Sequence, residues 1–175
     1  LAVTTLFSVG GYVGHREYQR HNQKALLEEI KALQQQNDNE ECIAETLVFP
    51  NNFPYLHAQA TNLLNACSQQ IVTEAKDLAE NNSLISAVNL TNQVPQEAIA
   101  AYQEVQEISE EWHSEVIDRA ENQYKQCVAS DGSNGFNNSL DWAGAIPNDS
   151  PVYETAQDKI NSWQQEWTQN QTILV

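Results

Sequence analysis

Apolar residues recur along this chain at helical spacing, in stretches divided by prolines and by short polar runs. From Glu17 to Gln36 the text reads as one helix, with Leu26, Leu27, Ile30 and Leu33 forming a narrow stripe and Glu28, Glu29 and Lys31 outside it. The polar run NDNEE, Asn37 to Glu41, interrupts it. Three apolar arms follow, each stopped by proline: IAETLVFP ending at Pro50, SLISAVNLTNQVP ending at Pro95, and LDWAGAIP ending at Pro147.

Each proline precedes a tyrosine that opens a longer polar-apolar stretch: Tyr55, Tyr102 and Tyr153, spaced 47 and 51 residues apart. The last two stretches share their landmarks. Ala or Val stands three positions after Tyr, Gln106 or Gln157 at four, an acid at five, and Trp112 or Trp163 at ten. The first keeps Tyr55 and Gln59 but has Asn65 at the Trp position. At about 100° per residue, Tyr153, Ala156, Ile160 and Trp163 fall within a stripe roughly 80° wide, which predicts a helix with that stripe buried. The Gln lies on the stripe's edge, within reach of the preceding arm, and the acid points away. Ser150 is an N-cap candidate with Pro151 at the first helical position; Val94 to Glu97 is a weaker start. Self-similarity at this period predicts stacked helical hairpins. The units are about 42–82, 83–128 and 139–175, in an acidic domain covering 42–175.

PNDSPVYETAQDKINSW, Pro147 to Trp163, resembles a motif of cyanobacterial membrane-anchored helical-repeat proteins of mostly unassigned function. The motif runs Ile-Pro, Ser-Pro, Tyr, Ala-Gln, Ile and Trp. The resemblance covers residues 140–163 well, 83–112 in part and 43–59 weakly. It implies a helical-repeat domain beyond a single membrane anchor, and it brings no catalytic residues.

The opening, Leu1 to Gly14, has no charged side chain. Fourteen helical residues cover roughly 21 Å, short of a bilayer core of about 30 Å. We therefore expect residues 1–14 to be a truncated transmembrane helix, with a signal-peptide core and a soluble core segment as alternatives. His15, Arg16, Arg20 and Lys24 then sit as headgroup-level residues, and 15–41 is either a stalk or a first helix packed on its own domain. The expected location is a single-pass membrane protein with its domain in the periplasm or thylakoid lumen. The positive-inside rule favours the cytoplasm instead, so orientation stays open.

Composition agrees with helix: Ala, Leu, Glu and Gln abound, while Gly and Pro are few. Charge adds a partner class. The net charge is −16, and residues 37–175 hold four basic against twenty-one acidic side chains. Such a surface repels nucleic acid and favours a basic protein partner. Cys42, Cys67 and Cys127 lack metal-binding spacing; one disulfide, Cys42–Cys67 first, or three buried thiols both fit.

Catalytic motifs are missing. Ser130 to Ser139 reads as the clearest loop, and Asp131, Ser133 and Asn137 within it lack the Gly and closing Glu of a calcium loop. Glu110 and His113 form one Glu-x-x-His step without a second, leaving His57 and Glu115 as the other candidate ligands, and exposed helix positions account for it. Asn-x-Ser/Thr triplets at Asn81, Asn89, Asn137, Asn148 and Asn170 match the background of an Asn-rich chain. No cofactor or metal is expected. The sequence reading is an all-α chain of five or six helices: a membrane-tethered interaction or scaffold module, such as an accessory subunit or assembly factor of a thylakoid complex. A cation- or small-ligand-binding extracytoplasmic domain is the alternative, and an enzyme is not expected.

Overall fold

The computed structural model describes the backbone of residues 6–130 and 133–173, and the side chains of 15–129 and 134–170. The described residues form seven helices and no strand. In chain order these are α1 (Leu6–Gln35), α2 (Asn39–Leu47), α3 (Pro54–Glu80), α4 (Leu84–Thr91), α5 (Ile99–Ser130), α6 (Ser133–Gly144) and α7 (Tyr153–Ile173). Each apolar arm is thus a short helix (α2, α4, α6), and each Tyr-led stretch a long one (α3, α5, α7).

The chain divides into two compact units, residues Leu1–Gln70 with Gln96–Ala100, and Ile71–Pro95 with Ala101–Val175. In the first, α1 packs on α2, and Leu27 and Ile30 are fully buried with Cys42, Ile43, Leu56, Ala60, Leu64 and Cys67. A disulfide joins Cys42 of α2 to Cys67 of α3. Leu26 and Leu33, expected in the stripe, are only half-buried. In the second unit, Leu84, Val88, Val116, Ile117, Ile146 and Ala156 form one core cluster. Ala120, Tyr124, Ala143 and Trp163 form another, and α6 packs on α7.

The long helices α1 and α3 end in the same way. Asn37 and Asn82 adopt left-handed backbone, with φ of 59° and 62°. The Asp38 N–H reaches back to Leu33 O and Asn37 N–H to Gln34 O; Ser83 N–H likewise reaches Leu78 O and Asn82 N–H Ala79 O. This is a Schellman stop with Asn in the usual Gly position, where Asn tolerates left-handed geometry better than most side chains. Two residues later a short helix begins in each case, α2 with Glu40 and Glu41 in its first turn, where the helix dipole favours acids.

Three expectations are corrected. Among the described residues no helix is long and apolar enough to cross a membrane, so the single-pass membrane assignment falls. The apolar opening is continuous with the helix that carries Arg16, Glu17, Arg20 and Lys24. Residues 1–5 lie outside the described residues.

Ser133 to Ser139 is helix, not loop. Its apolar side chains Phe136 and Leu140, with Trp142, pack against the Tyr124–Trp163 cluster. Gly135 lets α6 come close to α5, since a Cβ there would stand 3.0 Å from Cys127 Cβ. Tertiary burial here overrides the weak helix propensity of Gly, Ser and Asn. This added helix accounts for seven where five or six were expected. Asp131, the first candidate calcium ligand, lies outside the described residues.

The start of α7 shifts too. Ser150 and Pro151 form a turn, and the helix begins at Tyr153. Tyr153 N–H bonds Ser150 O, so the Ser-Pro pair steers the chain toward the helix rather than opening it.

Candidate functional site

The Tyr-to-Trp motif lies mostly inward in its last two occurrences. On α7 Ala156 and Trp163 are buried, while Tyr153, Gln157 and Ile160 are half-buried. On α5 Val105 is buried, Tyr102, Ile108 and Trp112 half-buried, and Gln106 exposed. The first occurrence departs from the expectation. Tyr55 is 75 % exposed, and Leu56 takes the inward position with Ala60, Leu64 and Cys67 following. The buried stripe of α3 starts one residue later than its tyrosine because Leu56, at i, i+4, i+8 and i+11 with the other three, is the better core residue. Gln59 is half-buried on the same helix.

His113 was expected on an exposed face, and the structure buries it at 3 % exposure. Its Nδ1 lies 2.8 Å from the Ser150 hydroxyl, and that oxygen also accepts the Val152 N–H at 3.3 Å. In the neutral tautomer protonated at Nε2, Ser150 donates to Nδ1 while accepting from Val152; in either tautomer this pair of side chains clamps the turn before α7. Burial pushes the His113 pKa below its ordinary value, with nearby Asp149 pulling the other way. The Glu-x-x-His step is therefore occupied by a structural contact. Among the described residues no three His, Cys, Asp or Glu side chains gather as a metal set. Only the fold could have revealed this role, since His113 and Ser150 are 37 residues apart.

The end of α5 and helix α6 are both held to α7 through aromatic and polar contacts. Tyr124 stacks on Trp163, Phe136 on Trp167, and the Tyr124 hydroxyl donates to Glu166 at 2.9 Å. Burial and that neighbouring carboxylate push the Tyr124 pKa to about 12. Beside it Glu121 accepts from Lys125 and from Lys159, which hold its carboxyl down at about 2. These groups serve packing, and Cys127 is a buried thiol among them.

The middle of α5 presents an acidic outer face. Glu107, Glu110, Glu111 and Asp118 are all exposed, with Ser114 between them. At 100° per residue they fall within roughly 100° of arc, and Glu107 to Asp118 spans about 16 Å of helix. None of the four pairs with a basic side chain among the described residues, whereas Glu104 meets Lys76 and Glu115 meets Arg119. The opposite face carries Val105, Ser109, His113, Val116 and Ala120, all buried, and buried Ile117 borders the acidic face. Burial of that face fixes which acids remain presented to solvent.

Comparison with protein-family models, with curated proteins and with solved structures finds no match.

Proposed function

We propose that this chain is an all-α interaction module that recognises a basic protein partner through the acidic outer face of α5. The observation that carries the reading is the run Glu107, Glu110, Glu111 and Asp118, exposed and without basic partners among the described residues, on a helix held along its other face. A rigid helix costs little further ordering when a partner docks, and complementary charge raises the encounter rate. The net charge of −16 supports a protein partner over nucleic acid.

On this reading the short and long helices are copies of one unit. Asn37 and Asn82, Thr46 and Thr91, and Phe49 and Val94 are each 45 residues apart. Both asparagines stop a long helix, both threonines are buried with their hydroxyls donating to carbonyls within the short helix, and Phe49 and Val94 are buried just before their prolines. The same 45-residue step aligns Ala60 with Val105 and Cys67 with Trp112. It therefore puts Cys67, and not Asn65, at the Trp position of the first unit. Repetition of this kind builds extended binding surfaces.

The test is capture at low salt on the immobilised chain and on a variant with Glu107, Glu110 and Glu111 changed to Gln. The reading expects a discrete basic protein held by the first, lost from the second, and released as salt rises. Equal retention by both chains removes α5 as the interface.

A further inference from the structure

Eight Lys and Arg side chains face twenty-four acids in this chain, and most are neutralised locally. Arg20 meets Glu17, Lys31 meets Glu28, Lys76 meets Glu104 and Arg119 meets Glu115; Lys125 and Lys159 share Glu121. Among the described residues Arg16 and Lys24 are the two that meet no carboxylate. Both line one cleft in the first unit, between α1 and the start of α3, with a volume of about 470 Å³.

Its walls are cationic and aromatic, and Glu17 lines it as well. Arg16, Arg20 and Lys24 lie at i, i+4 and i+8 on α1, so they form one row along the helix. Arg20 is held only weakly, 3.9 Å from a Glu17 that is itself largely solvated. Facing them are Phe53, Tyr55 and Leu56. The Arg16 guanidinium sits 5.9 Å from the Phe53 ring centroid, and the Tyr55 ring is mostly exposed. The segment before that wall is pinned to α1, because buried Gln23 donates from Nε2 to Asn52 Oδ1 at 2.7 Å. The Gln23 Oε1 is buried without a hydrogen-bond partner among the described residues, on the helix that carries the cationic row.

We propose that this cleft binds a small organic anion with a planar apolar body, an aromatic carboxylate or phosphate. Its negative end would meet Arg16 and Lys24, and its ring would lie against Tyr55 and Phe53. The volume fits a small ligand. A large acidic protein or a second copy would also confront the acids outside the cleft, whereas at physiological salt a small anion senses mainly charges within a Debye length of about 8 Å, where Arg16, Arg20 and Lys24 outweigh Glu17. Guanidinium and ammonium donors give charge-assisted hydrogen bonds, and exposed aromatic surface supplies the apolar half of the contact.

The probe is 2-naphthoate, titrated by calorimetry into the full chain at physiological ionic strength, with naphthalene-2-carboxamide and inorganic phosphate as comparators. The proposal expects saturable 1:1 binding of 2-naphthoate. Loss of a charge-assisted contact should weaken it about tenfold or more in the neutral amide and in a variant carrying Arg16→Gln and Lys24→Gln. Tyr55→Ala should weaken it as well, and Lys31→Gln, on the same helix but paired with Glu28, should leave it unchanged. Circular dichroism confirms that each variant folds; these side chains are exposed, so helix content should be retained. Absence of saturable heat at millimolar 2-naphthoate, equal binding of the amide, equal binding of phosphate, or unaltered affinity in the double variant would each overturn the proposal.

Discussion

The Tyr124 ring stacks on that of Trp163, with centroids 5.1 Å apart and planes 18° from parallel. This contact joins α7 through Trp163, a member of its sequence stripe, to a tyrosine of α5 that lies beyond the Tyr102–Trp112 stretch. Trp163→Ala should cost about 3–5 kcal/mol, the usual range for removing a buried Trp side chain. Tyr124→Phe keeps the ring and loses only the hydrogen bond to Glu166, at about 1 kcal/mol. Urea unfolding followed by circular dichroism separates the two values.

Two glycines of α6 should respond in opposite directions. Replacing Gly135 by Ala places a Cβ 3.0 Å from Cys127 Cβ, in backbone-tethered surroundings that cannot give way freely. We expect a loss of about 1–3 kcal/mol, although helix propensity alone favours Ala by about 1 kcal/mol. At Gly144 an added Cβ meets nothing within 4 Å, and the same change should stabilise by up to about 1 kcal/mol. Thermal melts of both variants decide the matter; stabilisation by both would mean that α6 does not press against α5.

Reduction of Cys42–Cys67 should loosen the first unit more than the second. The bridge closes 25 residues of chain, for which loop entropy gives about 3–4 kcal/mol. Hydrogen exchange in the presence of reductant should show protection lost first in α2 and the early part of α3. The double variant Cys42→Ala with Cys67→Ala should reproduce that pattern without reductant.

Stability should fall on mild acidification because of His113. In the unfolded chain its ring takes a proton near the ordinary 6.5, whereas burial keeps the folded ring neutral to lower pH. Between those two values the unfolded state binds more protons, so stability is fully present above about 6.5, drops as pH falls below it, and levels off beneath the folded value. His113→Asn should flatten this dependence. Imidazole resonances followed through the titration report the folded value directly, and a midpoint at or above 6.5 would contradict the buried neutral ring.

Much of the secondary structure was legible because it depends on local chemistry. The prolines at 50, 95 and 147 bound the short helices, the stripe of Ala156 and Trp163 names the buried face of α7, and the stripe of Leu27 and Ile30 that of α1. Of the two cysteine readings the sequence leaves open, one disulfide or three buried thiols, the structure has the disulfide, between Cys42 and Cys67. The apolar opening suggests a membrane helix because it lacks charge, yet the helix it belongs to, Leu6–Gln35, is not apolar enough over its described length to cross a membrane.

What periodicity alone determined was the angular pattern on each helix; what it left open was how each helix is rotated and which distant groups it meets. Tyr55 lies outside and Leu56 inside because the core of the first unit selects the better apolar side chain, a choice that both residues' spacing allows. Gly, Ser and Asn at 133–139 become helix only because Phe136 and Leu140 find Tyr124 and Trp163. His113 becomes a clamp when the chain returns with Ser150, and Arg16 and Lys24 gain a shared cleft when Phe53 and Tyr55 face them. Hydrophobic spacing and turn residues act over a few positions and can be read from the chain. Burial, desolvation and charge pairing depend on neighbours far away in sequence, and those the tertiary structure alone decides.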